Sequence, residues 1–175
     1  MLILDLCSGS GEWSRPYREA GYDVLQVDLP TDVRLIQYQP RDVHGILAAP
    51  PCTVFSRAGG WVSRTEDEIK LALSVVDACL RFVSIYRPKW WCLENPKGTL
   101  VKYLGPPTYS FDPCDFGDAY TKRTYLWGQF TKPVKAPVVA RGSITGQKGC
   151  GWAGTRRERA KTPAGFARAF YLANP

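Results

Sequence analysis

Short apolar runs separated by polar connectors open the chain. The run LILDL (2–6) leads into a glycine-containing turn, then a helix-length segment closing at Gly21, then a second apolar run, DVLQVDL (23–29). This alternation is the pattern of a strand-helix-strand unit. A third buried run, HGILAAP (44–50), enters a loop. Thr65 followed by Glu68 forms a capping box, and Ile69, Leu73, Val76, Leu80 and Val83 recur at spacings of three and four. Together they predict a helix over 66–86, which Pro88 bars from continuing. KWWCLEN (89–95) predicts a strand ending at Pro96, and TYSFD (108–112) and RTYLWGQF (123–130) are two further strand candidates. Residues 131–162 read as a basic loop, and 163–174 as a C-terminal helix with Pro163 in its first turn. No internal repeat is present. The expected architecture is α/β, a mostly parallel central sheet with helices on both faces, with ligands at the loops beyond the carboxyl ends of the strands.

Composition narrows the class. A chain of 175 residues with 45% hydrophobic and 22% charged content is one domain's worth of sequence that can bury a core. The 23 Lys and Arg exceed the 16 Asp and Glu, giving a net charge of +7 with the single histidine neutral. The most apolar helical stretch is broken by Lys70, Asp77 and Arg81, so no membrane span is expected. The N-terminus lacks a basic region and a cleavage site and reads as a strand, implying a cytoplasmic setting. Six widely spaced cysteines without a C-x-x-C pair argue against disulfides and zinc. His44, the sole histidine, removes most histidine-based catalysis and metal ligation.

The turn after the first strand, CSGSGEWS, places Gly9 and Gly11 where a strand passes into a helix, which lets a ligand approach the backbone. A tight turn without a ligand is the plain alternative for the glycines alone. Asp28 ends the next strand, 17 residues after Gly11, suited to accept hydrogen bonds from both ribose hydroxyls. Ser14 stands where the dinucleotide fingerprint has its third glycine, so a single nucleoside fits better than a dinucleotide. Asp5, Gly9 and Gly11 resemble the first motif of the S-adenosylmethionine-dependent methyltransferases. That resemblance implies their Rossmann-like fold and S-adenosylmethionine, or a close sulfonium analogue, as cofactor. It places Asp5, Cys7, Ser8, Gly9 and Gly11 around the methionine part and Asp28 and Leu29 at the ribose. Asp32 and Val33 are placed near the adenine, with Pro50 also bordering the cofactor.

LAAPPCTVFS delivers Pro50, Pro51 and Cys52 from a buried strand into a loop at the expected ligand edge. The prolines fix φ and hold the thiol, which is a nucleophile only as its thiolate. Cys79 and Cys92, within their predicted elements, read as inert buried cysteines. Pro50, Pro51, Cys52, Phe55 and Ser56 resemble the signature of the DNA cytosine-5 methyltransferases. Glu94 and Asn95 in CLENP, and Arg123 in TKRTYLWG, match that family's glutamate and arginine motifs in the same order. The resemblance covers about residues 3 to 130 and implies methyl transfer to carbon 5 of cytosine. Cys52 would add to carbon 6, Glu94 would serve N3, and Arg123 would serve O2 by electrostatic stabilisation. The base of a duplex would leave its stack, with Phe55, Trp61 and Trp127 as candidate walls.

Only about 40 residues separate Arg123 from the final helix, without an obvious target-recognition domain, as in compact phage or prophage proteins of bacterial cells. Ser56, Arg57, Arg156, Arg157, Arg159 and Lys161 are the candidate contacts to nucleic acid, the basic ones to phosphates. So small a recognition surface suits weak sequence preference on duplex or single-stranded DNA, a nucleotide substrate, a modified donor, or a separate target-selecting protein. Two rival readings compete. An amino-group methyltransferase needs an acid or amide where Ala49 stands, and a catalytically silent nucleic-acid-binding module has no need of Cys52, Glu94 and Arg123 together.

Overall fold

The computed structural model describes residues 1–37, 39, 41–56, 63–144 and 155–175, without the side chains of 156 and 157. Its strands are β1 (Leu2–Leu6), β2 (Asp23–Val27), β3 (Val43–Ala48), β4 (Trp90–Pro96), β5 (Tyr109–Phe111) and β6 (Thr124–Gln129). They form one sheet in the order β2-β1-β3-β4-β6-β5. The first four are parallel, as expected, whereas β6 runs antiparallel to both β4 and β5, so the sheet is mixed. The reversal matters for the site. Parallel strands bring their carboxyl ends to one edge, and β6 brings its amino end there, with Lys122 and Arg123 just before it.

Alternate strand residues enter two cores on opposite faces. Leu4, Ile46 and Leu93 pack with Val76, Cys79 and Phe82 of α2 (Glu66–Tyr86). Ile3, Leu47 and Cys92 pack with Trp13, Tyr17, Phe166 and Phe170 on the other face. Burial on both faces is why these strands read as continuous apolar runs. The bounds of α2 follow the sequence pattern, with the Glu68 amide donating to Thr65 Oγ1 at 3.2 Å and the Thr65 amide to Glu68 Oε2 at 2.8 Å. Gly45 lies under the Trp90 indole, where a Cβ would come within 2.2 Å of the ring, so the strand needs glycine there. No helix among the described residues is long and apolar enough to cross a membrane.

Three local expectations are corrected. The first helix, α1 (Arg15–Glu19), has five residues. An earlier start would bury Pro16 in the helix interior, where it lacks a donor and clashes with the preceding turn. The segment 131–162 is not all loop. Its first part bonds back to the chain before β6, with Val138 donating to the Cys114 carbonyl at 2.8 Å and Thr121 to that of Gly142 at 2.9 Å. After α3 (Val101–Leu104), a further short helix, α4 (Arg156–Ala160), follows a Thr155–Glu158 capping box. The C-terminal helix α5 is Ala164–Ala173, with Pro163 as its N-cap rather than inside its first turn.

Aromatic packing seats α5 on the sheet. Phe166 stacks on Phe111 with ring centroids 3.9 Å apart, and Asn174 exchanges two hydrogen bonds with the Thr131 backbone. Truncating Phe166, which is fully buried, should therefore cost about 3–5 kcal/mol. Denaturant unfolding of Phe166→Ala checks this, and a loss below about 1 kcal/mol would show that α5 is dispensable to the core.

Candidate active site

The strand order reverses between β1 and β3, because the chain goes from β1 outward to β2 and then returns to the other side of β1. Open parallel sheets bind ligands in the crevice at such a switch point. The glycine loop leaves β1 and the Pro-Pro-Cys loop leaves β3, so both border this crevice. The Ala49 amide donates to the Leu6 carbonyl at 2.9 Å, tying the two exits together.

The glycine loop is shaped from below. Asp5 is 1% exposed, and its carboxylate accepts from Ser14 Oγ at 2.5 Å. Burial pushes its pKa up to about 6 against the lowering effect of that hydrogen bond. Asp5 thus acts on the loop through Ser14, the residue that replaces the third glycine, rather than facing the crevice. Arg18 donates to the Gly11 carbonyl at 3.1 Å. Cys7, Gly9 and Gly11 have φ of 56°, 53° and 67°, a region in which glycine carries no steric penalty. A Cβ on Gly9 would meet nothing within 4 Å, so its backbone is open. Ser8 is half-buried, and its amide donates to the Val27 carbonyl at 3.2 Å, placing the loop against the end of β2. There Asp28 is exposed and Leu29 is 81% exposed. An open backbone, a carboxylate and an apolar side chain fit an adenosine-bearing group.

The Asp32 carboxylate is engaged by its own turn. Arg34 Nε reaches both carboxylate oxygens at 3.0 Å, and the Arg34 amide donates to Oδ1 at 2.9 Å. These contacts lower the Asp32 pKa to about 2. Arg34 also donates to Ser74 of α2 at 3.3 Å. The carboxylate therefore caps the turn Val33–Leu35 and fastens it to α2, while the side chain of Val33 is buried in the core.

The nucleophile loop is pinned at both ends to the end of β4. Pro50 is buried, and its carbonyl accepts from Asn95 Nδ2 at 2.9 Å. On the far side, the Phe55 carbonyl accepts from the Thr99 amide at 2.8 Å, and Ser56 pairs with Gly98. Between these anchors, the Phe55 and Ser56 amides donate to the Cys52 carbonyl at 3.1 and 2.8 Å, and the Cys52 side chain is half-buried. Cys79 and Cys92 are buried; the hydrogen bond that Cys79 donates to Cys7, and then burial, pushes the Cys79 thiol up, and burial pushes Cys92 up. Neither is fit for nucleophilic work.

Glu94 precedes Asn95 at this strand end. Burial raises its pKa, opposed by Lys122, so the neutral acid is favoured more than in water. The cation beside it is Lys122, with Nζ 4.0 Å from Glu94 Oε1. Arg123 goes elsewhere, as its guanidinium lies 2.9 Å from Asp112 Oδ2 and its side chain is half exposed. The expected juxtaposition of Glu94 with Arg123 is thus replaced by Glu94 with Lys122. Sequence inspection missed Lys122 although it is the preceding residue, because only the geometry at the mouth of β6 decides which neighbour turns inward.

Phe55 and Trp127 are buried core side chains, the latter donating to the Gly105 carbonyl at 3.0 Å, so neither walls an open pocket. Trp61 and Arg57 lie outside the described residues, as do the side chains of Arg156 and Arg157. Arg159 is half-buried on α4, and Lys161 is exposed after it.

No protein-family model matches the chain. It is 30% identical, over 149 residues, to a protein of frog virus 3 described as a probable DNA (cytosine-5)-methyltransferase; the match covers 73% of this chain and 70% of the viral one. It is also 29% identical over 124 residues to the type II methyltransferase M.DdeI of Desulfomicrobium norvegicum, covering 57% of this chain and 29% of that one. Among solved structures, it resembles a candidate DNA modification methyltransferase encoded within an E. coli prophage. That match has a TM-score of 0.53 at 18% identity, over 79% of this chain and 53% of the other, and it bears on the fold.

Two outcomes follow from the loop geometry. A Cβ on Gly98 would lie 2.0 Å from the Phe55 carbonyl oxygen, so Gly98→Ala should displace the Cys52 loop and slow thiol alkylation or adduct formation by about tenfold or more; an unchanged rate would show that the bridge does not position Cys52. The raised pKa of Asp5 gives stability that is present below the ordinary aspartate range and lost as pH rises through about 6. Unfolding free energies of the native chain and Asp5→Asn, from denaturant titration, should therefore change relative to each other between about pH 4 and pH 7, with the native chain losing on the order of 2–3 kcal/mol that the variant does not. A constant difference would refute it.

Proposed function

The chain belongs to the DNA (cytosine-5)-methyltransferase family, and on that premise we propose that it methylates carbon 5 of cytosine in DNA through a covalent adduct on Cys52. The observation that supports the reading is the double anchorage of the Cys52 loop to the end of β4, the strand end that carries Glu94, with the strand exit before that loop bonded to the exit of β1 that leads into the glycine loop.

Carbon 5 of cytosine is too weak a nucleophile to be alkylated directly. The Cys52 thiolate forms a bond to carbon 6 while the C5–C6 π pair shifts toward N3, where protonated Glu94 gives up its proton. The result is an enamine whose carbon 5 is nucleophilic. The glycine loop, Asp28 and Leu29 would hold S-adenosylmethionine, which when bound supplies an electrophilic methyl on a sulfonium whose sulfur keeps the bonding pair. As the carbon-5 proton is lost to water, its bonding pair becomes the C5–C6 double bond while the Cys52–C6 bond breaks with its pair returning to sulfur, and Glu94 recovers the N3 proton. Burial of Glu94 suits it to the acid role, since the neutral form is the one that donates. Stabilisation at O2 requires a cation, expected from the sequence at Arg123.

Phosphates would be met by the basic segment that includes Arg159 and Lys161, and the net charge of +7 favours a polyanion. A target base in single-stranded or mispaired DNA spares the unstacking cost of a few kcal/mol, which suits a chain with so short a stretch between Arg123 and α5.

An oligonucleotide carrying 5-fluorocytosine blocks the final proton loss, so with S-adenosylmethionine it should trap the native chain as a covalent complex, and Cys52→Ala should form none. Normal methylation by Cys52→Ala, read by nucleoside mass spectrometry, would refute the mechanism. Oligonucleotide affinity should fall steeply with salt, and Lys161→Ala should flatten the log–log slope by about one.

A further inference from the structure

We propose that Lys122, rather than a guanidinium, is the cation that holds O2 of the target pyrimidine, an inference that rests on the cytosine reading above and deepens it. The Lys122 side chain is only 7% exposed. Its ammonium carries three donors. Among the described residues, Nζ has one partner, Glu94 Oε1 at 4.0 Å, which is an ion-pair separation too long for a hydrogen bond. Glu94, itself 14% exposed, makes no shorter contact among those residues. An acid and an ammonium therefore face each other across a gap, each with hydrogen-bonding capacity to spare, at the sheet edge that carries the Cys52 loop.

The orientation is built in by the backbone. The Lys122 amide donates to Asp112 Oδ1 at 2.9 Å, and its carbonyl accepts from Thr124 Oγ1 at 2.8 Å. The other oxygen of Asp112 draws Arg123 outward. One carboxylate thus fixes Lys122 pointing in and Arg123 pointing out. In the pyrimidine ring, N3 and O2 are neighbouring acceptors. A protonated carboxyl at N3 and an ammonium at O2 would occupy the two positions toward which charge moves when the thiolate adds to carbon 6. Lys122 donates a hydrogen bond and transfers no proton, so it stabilises the adduct without altering the balance of the step.

The test is the rate of covalent trapping by a single-stranded 5-fluorocytosine oligonucleotide with S-adenosylmethionine, read beside S-adenosylhomocysteine affinity from calorimetry. Lys122→Met should trap about 100-fold more slowly, as expected for a lost donor to a developing oxyanion, with homocysteine-product affinity retained, and Lys122→Arg should recover much of the rate. Trapping by Lys122→Met at the native rate overturns the inference, as does a larger loss in Arg123→Gln than in Lys122→Met. Where Lys122→Met also loses product affinity, Lys122→Arg is compared with Lys122→Gln, and arginine trapping no faster than glutamine overturns it. A native chain that forms no adduct brings down the cytosine reading itself, an outcome distinct from any ranking of variants.

Discussion

The site depends on the reversal of strand order at β1. Because β2 and β3 flank β1 on opposite sides, the loops leaving β1 and β3 diverge and open a crevice between two tightly paired strands. The hydrogen bond from the Ala49 amide to the Leu6 carbonyl closes the floor of that crevice. Above it, the glycine loop and the Pro-Pro-Cys loop need no further chain to bring them together. Two loops at adjacent strand ends are held in a fixed mutual orientation by this arrangement alone, since orientation is paid for once, in folding the sheet.

A second constraint works at the neighbouring strand. The end of β4 touches the Cys52 loop through Asn95 on one side and through Gly98 and Thr99 on the other. The antiparallel entry of β6 then brings Lys122 to Glu94. A wholly parallel sheet would have carried that part of the chain to the opposite edge. The mixed topology, which departs from the simplest reading of alternating strands and helices, is thus what places a cation beside the acid. Asp112 completes the arrangement by engaging the Lys122 amide and the Arg123 guanidinium with its two oxygens.

Polar groups buried beneath the loops serve the same end. Asp5 and Ser14 form a short hydrogen bond in a dry environment, and the unfavourable burial of the carboxylate is offset by shaping a loop whose glycines lie at positive φ. The Asp32–Arg34–Ser74 chain does comparable work at the surface, fastening the connection after β2 to α2. In both cases an acid expected from the sequence to lie near a ligand engages a nearby side chain and shapes the backbone around it.

Local patterns determined much of this by themselves. Capping residues and apolar spacing defined α2 to the residue, since a helix boundary is written in a few adjacent side chains. The continuous apolar runs of β1, β3 and β4 marked strands buried on both faces, and Pro50-Pro51-Cys52 and Glu94-Asn95 marked the loop and the strand end that the fold ties together at one sheet edge, because motif order survives without knowledge of contacts. Tertiary structure decided the rest. The antiparallel course of β6, the engagement of Asp32 by Arg34, and the choice of Lys122 over Arg123 all depend on partners distant in sequence or on which side of the backbone a side chain leaves. Adjacent residues in an extended segment point to opposite sides, and which side meets the crevice is set by strand pairing and by Asp112, neither of which a linear motif contains.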